Sequence, residues 1–285
     1  MVKIFTLDEL VNQEIPTRED YKEAVAILRK EYETLAEEGH IYGALFYGSL
    51  FKNAGNGSLI GSDIDQIIVV SSMDDQTLNE LRAVREKISN LRVPAEFHIF
   101  DLDIITEGYH GYERTFLDDL GIHAKGDSII GNNVLDIIKP NGRTNYEIFR
   151  DRQIKNLRRL SRDVSAPKYS RIHCTFLGRI INYTIHLAKD TLHLKNGKPA
   201  TEDGELLSKK QILDKYEAEF PQVDASPLRR VLDLREKFKG FLNDGPPYDS
   251  NRYKGLLDQI DSTYQIVQGF IRANLRIVNK MECTK

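Results

Sequence analysis

The chain is poor in cysteine, has no long apolar run and carries no surplus of positive charge. Only Cys174 and Cys283 occur among 285 residues. They lie far apart without CxxC spacing, which argues against a zinc site and leads us to expect a reducing, cytoplasmic compartment. No segment approaches the run of about 18 apolar residues that crosses a bilayer. The opening residues, MVKIFTLDEL, place Asp8 and Glu9 where a secretory signal needs an unbroken apolar stretch. With 40 basic and 43 acidic residues the formal net charge is −3, and the pI is about 6.2. The chain as a whole therefore lacks the basic footprint of unspecific nucleic-acid binding. Neither a GxxxxGK[ST] phosphate loop nor a GxSxG elbow is present. Tryptophan is absent as well, and that excludes nothing.

What is present divides the chain in two. Residues 18–38 place Tyr21, Ala24, Leu28, Tyr32 and Leu35 on one helical stripe, with Gly39 as the stop. Residues 41–48 and 63–70 are short apolar runs read as strands, separated by the Gly/Asn/Ser-rich loop at 53–61. Residues 74–90 form an amphipathic helix with Leu78, Leu81, Val84 and Ile88 inward. Residues 92–102 form a third strand, where Pro94 marks an edge or a strand start. The order strand, strand, helix, strand predicts a small sheet with helices against it. The segment KPNGRT at 139–144 is the linker candidate, which sets domains at 1–142 and 143–285. Five amphipathic helices are expected beyond it, over 146–164, 168–194, 206–220, 226–242 and 253–278. In the long second one, Tyr169, Ile172, Phe176, Ile180, Tyr183 and Leu187 should form the apolar face.

The chemistry concentrates between positions 48 and 96. Side chains alternate along a strand, so Asp63 and Asp65 share a face while Ile64 points to the core. Two adjacent carboxylates repel each other unless protonated or bridged by a cation, and hard oxygen ligands of this kind suit Mg²⁺. A solvated Asp pair is the ordinary alternative for an isolated DxD. Gly48 and Ser49 end the preceding strand, where a glycine turn lets backbone N–H groups approach a phosphate. On the third strand Glu96, His98 and Phe100 share one face. If that strand lies beside 63–70, Glu96 completes a three-carboxylate cluster able to hold two metals. Asp101 and Asp103 are rivals for the third place, but they sit at the strand's end, where a helix N-cap is an ordinary role.

Taken together, these residues resemble the nucleotidyltransferase superfamily related to DNA polymerase β. The family fingerprint reads here as Tyr47-Gly48-Ser49, a spacer of thirteen residues, Asp63-Ile64-Asp65, and the later Ala95-Glu96-Phe97. Gln66 departs from the apolar residue usual after the second acid. The resemblance implies an α+β fold, in which a small mixed sheet with flanking helices is followed by an all-α bundle. It also implies transfer of a nucleoside monophosphate from a nucleoside triphosphate, ATP being the usual donor, to a hydroxyl, with release of pyrophosphate. Asp63, Asp65 and Glu96 would hold two Mg²⁺ ions, Glu96 acting alternatively as general base. Gly48, Ser49 and Ser62 would cradle phosphates, and Lys209, or less readily Lys52, would offset their charge.

In layout the chain looks most like the antibiotic-modifying adenylyltransferases, with GDSIIG at 126–131 read as their short hairpin and Ser208-Lys209 opening a late helix. That likeness makes a small hydroxylated molecule, aminoglycoside-like, the first expectation for the acceptor. The acids of TEDGE and YEAEF are read as surface before any role in holding a cationic acceptor. The second expectation is a tRNA end or a partner protein, with the basic helix at 146–164 as an RNA path. No aromatics are interleaved among the basic residues of 150–162, so a solvated face comes first. A third is a nucleotide-binding regulator without turnover. Several relatives build the site between two subunits, which is compatible with a homodimer. His173, His186 and His193 fit no zinc pattern and are read as structural.

Overall fold

The computed structural model describes residues 3–12, 15–48, 63–109, 114–124, 128–140, 144–199, 201–202 and 205–282. The chain forms two compact units. One comprises Ile15–Gly142, and the other joins Met1–Glu14 to Arg143–Lys285. The class is mixed α and β, with a small mixed sheet.

In the unit Ile15–Gly142, a helix at Arg18–Glu37 starts at Thr17, whose hydroxyl accepts from the Asp20 N–H while the Asp20 carboxylate accepts in return. The expected stripe of Tyr21, Ala24, Leu28, Tyr32 and Leu35 is wholly buried. Four strands follow in the sheet: β1 (Ile41–Tyr47), β2 (Ile64–Val70), β3 (Ala95–Asp101) and β4 (Ile129–Gly131), in the spatial order β3-β2-β1-β4. β1 runs antiparallel to β2 and β4, while β2 and β3 are parallel. Such a parallel pair needs a crossover, and the helix Asp75–Ser89, capped by Asp74, supplies it. Its buried residues are Thr77, Leu81, Val84 and Ile88. Leu78, expected inward, is only partly buried. Pro94 holds both roles its chemistry allows, since it immediately precedes β3 and β3 is an edge strand.

The two faces of the sheet are covered separately. Ala44, Phe46, Ile64, Ile68 and Val70 pack under the helices at 18–37 and 75–89. On the other face Leu45, Ile67 and Val69 pack with Ile138 and with Ile105, Leu120 and Val134, the last three from the short elements Leu102–Glu107, Arg114–His123 and Val134–Asp136. Among the described residues β4 pairs with β1 alone. Residues 125–127, where a hairpin was expected to begin, lie outside the described residues.

The other unit is helical. Its helices are Leu7–Val11, Asn145–Asp163, Arg171–Asn196, Lys209–Glu219, Ser226–Asp244, Ser250–Ser262 and Tyr264–Glu282, with a two-strand ribbon Thr201–Glu202/Glu205–Leu206. Three expectations are corrected here. Residues 1–14 do not belong with the sheet. Ile4, Phe5 and Leu10 are buried, and the buried Tyr253 hydroxyl donates to the Phe5 carbonyl. The last helix is two helices, broken at the buried Thr263, whose hydroxyl turns back to the Ile260 carbonyl at 2.6 Å. The helix Arg171–Asn196 has no single apolar face. It contacts the helices at 145–163, 209–219, 226–244, 250–262 and 264–282, so Cys174, Leu177, Ile181, Ile185, Ala188 and Leu192 are buried alongside Phe176, Ile180 and Leu187. Ile172 is 57% exposed, and Tyr169 precedes the helix at φ +64°. Asn274, buried, ties three helices. Its carbonyl oxygen accepts from Tyr216 Oη at 2.7 Å and Thr191 Oγ1 at 3.2 Å, and its amide donates to the Phe270 carbonyl. Among the described residues no helix is long and apolar enough to cross a membrane.

Candidate metal centre

The sheet brings three acids together at one end of its parallel pair. The Ile64 N–H donates to the Pro94 carbonyl at 2.8 Å, and from there the register sets Asp65 opposite Glu96. Ile64 is fully buried in the core beneath the helices. Alternation therefore turns Asp63 and Asp65 to the opposite face, and Glu96 follows on β3 because Ala95 and Phe97 pack into that same core. One carboxylate oxygen from each of Asp63, Asp65 and Glu96 lies within 4.8 Å of the others. Asp63 is 7% exposed, while Asp65 and Glu96 are partly buried.

Gly48 closes the site from β1. Tyr47 pairs with Asp65 across the strands, and Gly48 follows at φ +88°. A Cβ at position 48 would stand 2.3 Å from Asp65 Oδ2, so the backbone approaches the carboxylate as closely as a side-chain-free residue permits.

The electrostatics follow from this crowding. Burial, and next the charge of Asp63, push the Asp65 carboxyl up from 3.8 to about 7, with Glu96 adding in the same direction. Glu96 is shifted the other way. Its hydrogen bond with His98 holds its carboxyl below the ordinary glutamate value, and the same contact raises the His98 imidazole. The two side chains stand 3.5 Å apart, His98 Nε2 to Glu96 Oε2, and the Tyr47 ring meets the imidazole edge-on at 6.4 Å. Without a counterion, Asp65 takes a proton near neutrality. With a cation in the cluster, all three acids can be ionised together.

The donor set fits a hard divalent cation. All three groups are carboxylates, and oxygens on opposite sides of an ion bound at about 2.0–2.6 Å lie about 4–5 Å apart. The rivals are not part of the cluster. Asp101 pairs with Val70 at the far end of the strands, about 16 Å along β3 from Glu96. There it caps the helix Leu102–Glu107, accepting from the Ile104 N–H at 2.9 Å, and Asp103 is exposed in that helix's first turn.

Ser49, Lys52 and Ser62 lie outside the described residues. Lys209 is the first residue of its helix in the helical unit, behind the Ser208 cap. Gln66, the departure from the family pattern, is fully buried on the core face and accepts from Tyr32 Oη at 2.8 Å. His173 and His193 are buried, and His186 is exposed. No metal-binding cluster of acids, cysteines or histidines other than Asp63, Asp65 and Glu96 occurs among the described residues. The acids of YEAEF are held by cations of their own unit, Glu217 by Arg229 and Glu219 by Lys195. Sequence reading did not single out Gly48 as the neighbour of Asp65. The φ > 0 it requires leaves no sign in the sequence beyond the glycine itself.

Comparison of the chain with models of known protein families and with curated proteins finds no match.

Proposed function

We propose that this protein is a divalent-metal-dependent nucleotidyltransferase. One observation carries the reading: Asp63, Asp65 and Glu96 converge from two adjacent parallel strands within 4.8 Å, against the side-chain-free backbone at Gly48. In the reaction, the hydroxyl oxygen of an acceptor attacks the α-phosphorus of a nucleoside triphosphate, ATP being the first choice. The bond from that phosphorus to the bridging oxygen breaks, pyrophosphate leaves, and the hydroxyl proton passes to a base. Divalent cations, two in the reading adopted here, supply Lewis acidity and charge neutralisation when bound.

The chain's own groups divide the remaining work. Asp63 and Asp65 hold the cations. Glu96, kept ionised by His98, is better suited to share that ligation than to accept the hydroxyl proton, because a base is most effective with its pKa near the working pH. The absence of a side chain at Gly48 lets the Asp65 carboxylate lie against the backbone of β1, and Gly48 is proposed for the phosphates on the resemblance. Ser49, Ser62 and Lys209 are proposed for the phosphates on the resemblance alone.

A small hydroxylated molecule, aminoglycoside-like, is the first acceptor to test, and a macromolecular acceptor the second. Incubation with each α-labelled nucleoside triphosphate, Mg²⁺ and fractionated cell extract shows which fraction takes up label. The expected result is Mg²⁺-dependent labelling that Asp65→Asn abolishes while circular dichroism stays unchanged. Undiminished labelling by that variant would remove the reading. Mg²⁺-dependent nucleotide binding with no labelled product from any fraction would favour a regulator that lacks turnover.

A further inference from the structure

We infer that the basic face of the helix Asn145–Asp163 is a docking surface for the phosphate backbone of single-stranded RNA. Asp151, Ile154, Lys155, Arg158, Arg159 and Arg162 recur at spacings of three and four and line a cleft of about 560 Å³. The helix is anchored by its other side, where Phe149, Gln153, Asn156, Leu160 and Asp163 are buried and Arg152 pairs with Asp190 at 2.9 Å.

Four cations and one acid line this cleft in a chain whose net charge is negative. Their charge is poorly met from within. Arg162 and Arg179 share the single buried carboxylate of Asp163. Among the described residues Arg159 reaches only the neutral hydroxyl of Tyr183, at 3.5 Å. Lys155 and Arg158 have no carboxylate within ion-pair distance among the described residues. Lys155, Arg158 and Arg162 are exposed and Arg159 is partly so, and cations in such a row suit phosphates presented in series.

The geometry favours a polymer over a single anion. From Lys155 to Arg162 the four cations span about 10 Å of helix at 1.5 Å per residue. One phosphate ion would need converging cations, whereas a stripe of this length meets successive phosphates of a strand. No aromatic side chain is among the cleft residues named, so contacts would be to the backbone and tolerant of sequence, without base stacking. The choice of RNA over an acidic polypeptide or DNA rests on the transfer reading above, with its macromolecular acceptor: an RNA end offers two hydroxyls, 2′ and 3′, where a DNA end offers one. The charge argument for a polyanion does not depend on it.

Fluorescence anisotropy with a 5′-labelled mixed-sequence RNA dodecamer tests this, in EDTA and without nucleotide, from 50 to 300 mM KCl. Binding should weaken with salt at a log–log slope of about −2, as three neutralised phosphates of a single strand predict. Lys155→Glu/Arg158→Glu should bind at least tenfold more weakly, with a slope shallower by roughly one unit. Lys155→Gln/Arg158→Gln should show the same trend if the reversal impairs folding by circular dichroism. Lys237→Glu, an exposed cation on another helix, should bind as the parent does. Equal binding by the cleft variants overturns the proposal. So does displacement of the RNA by poly-glutamate at lower concentration than by unlabelled RNA, or tighter binding of DNA of the same sequence. Asp65→Asn should bind RNA normally. Retained RNA binding without nucleotidyl transfer in any assay would sink the transfer reading and leave the polyanion cleft standing. Transfer to a small molecule without RNA binding would do the reverse.

Discussion

Gly48 and Asp65 are packed so closely that a single added carbon would collide with the carboxylate, at 2.3 Å from Oδ2. The glycine also holds φ +88°, a conformation that costs an L-residue about 1–2 kcal/mol. Gly48→Ala should therefore lower the melting temperature by a few degrees and weaken Mg²⁺ binding at least tenfold, as Asp65 is pushed from the cluster. Differential scanning fluorimetry and Mg²⁺ titration calorimetry read the two effects separately. Unchanged Mg²⁺ affinity in a destabilised variant would show that the contact serves only the fold.

The raised carboxyl of Asp65 makes stability depend on pH in a defined direction. Its folded value is about 7 against 3.8 for the free group. Between those values the folded protein keeps a proton that the unfolded chain has released. The contribution of this group is therefore fullest below pH 4 and declines as pH rises towards 7, by up to about 1.4 kcal/mol per unit. Mg²⁺ should reverse this decline, raising the melting temperature clearly at pH 8 and little at pH 5.5, where it must displace a proton. Asp65→Asn should flatten the pH profile and abolish the Mg²⁺ shift. Equal Mg²⁺ stabilisation at both pH values would contradict the assignment.

His98 sets the charge of Glu96 through their contact at 3.5 Å. Removing the imidazole in His98→Ala should let the Glu96 carboxyl rise towards its ordinary value. The acid limb of Mg²⁺ binding would then move to higher pH, so affinity should fall near pH 4.5, where an ordinary glutamate takes up a proton, and change little at pH 8. Titration calorimetry at the two pH values checks this. A uniform loss at both would indicate a role in packing against Tyr47 instead.

Much of the sheet unit was legible before the structure. The helix at 18–37 buries each of the five stripe residues read from its period, because a helix covering one sheet face has one apolar side. Glu96 was separable from Asp101 and Asp103 by its apolar flanks Ala95 and Phe97 and by the rivals' place at the strand's end. The helical unit was less legible. Around Arg171–Asn196 five other helices pack, so burial there follows neighbours on all sides and not a single stripe. Thr263 breaks a continuous amphipathic pattern by a local hydroxyl-to-carbonyl bond that periodicity does not register.

By itself, the sequence determined which acids are candidates for the cluster and which face of each strand they occupy, since alternation is a property of the chain alone. Only the tertiary structure decided that β3 lies parallel beside β2, so that residue 96 meets residue 65, and that residues 1–14 leave the sheet for the helical unit. Those pairings are made by segments distant along the chain, through contacts that no local pattern encodes.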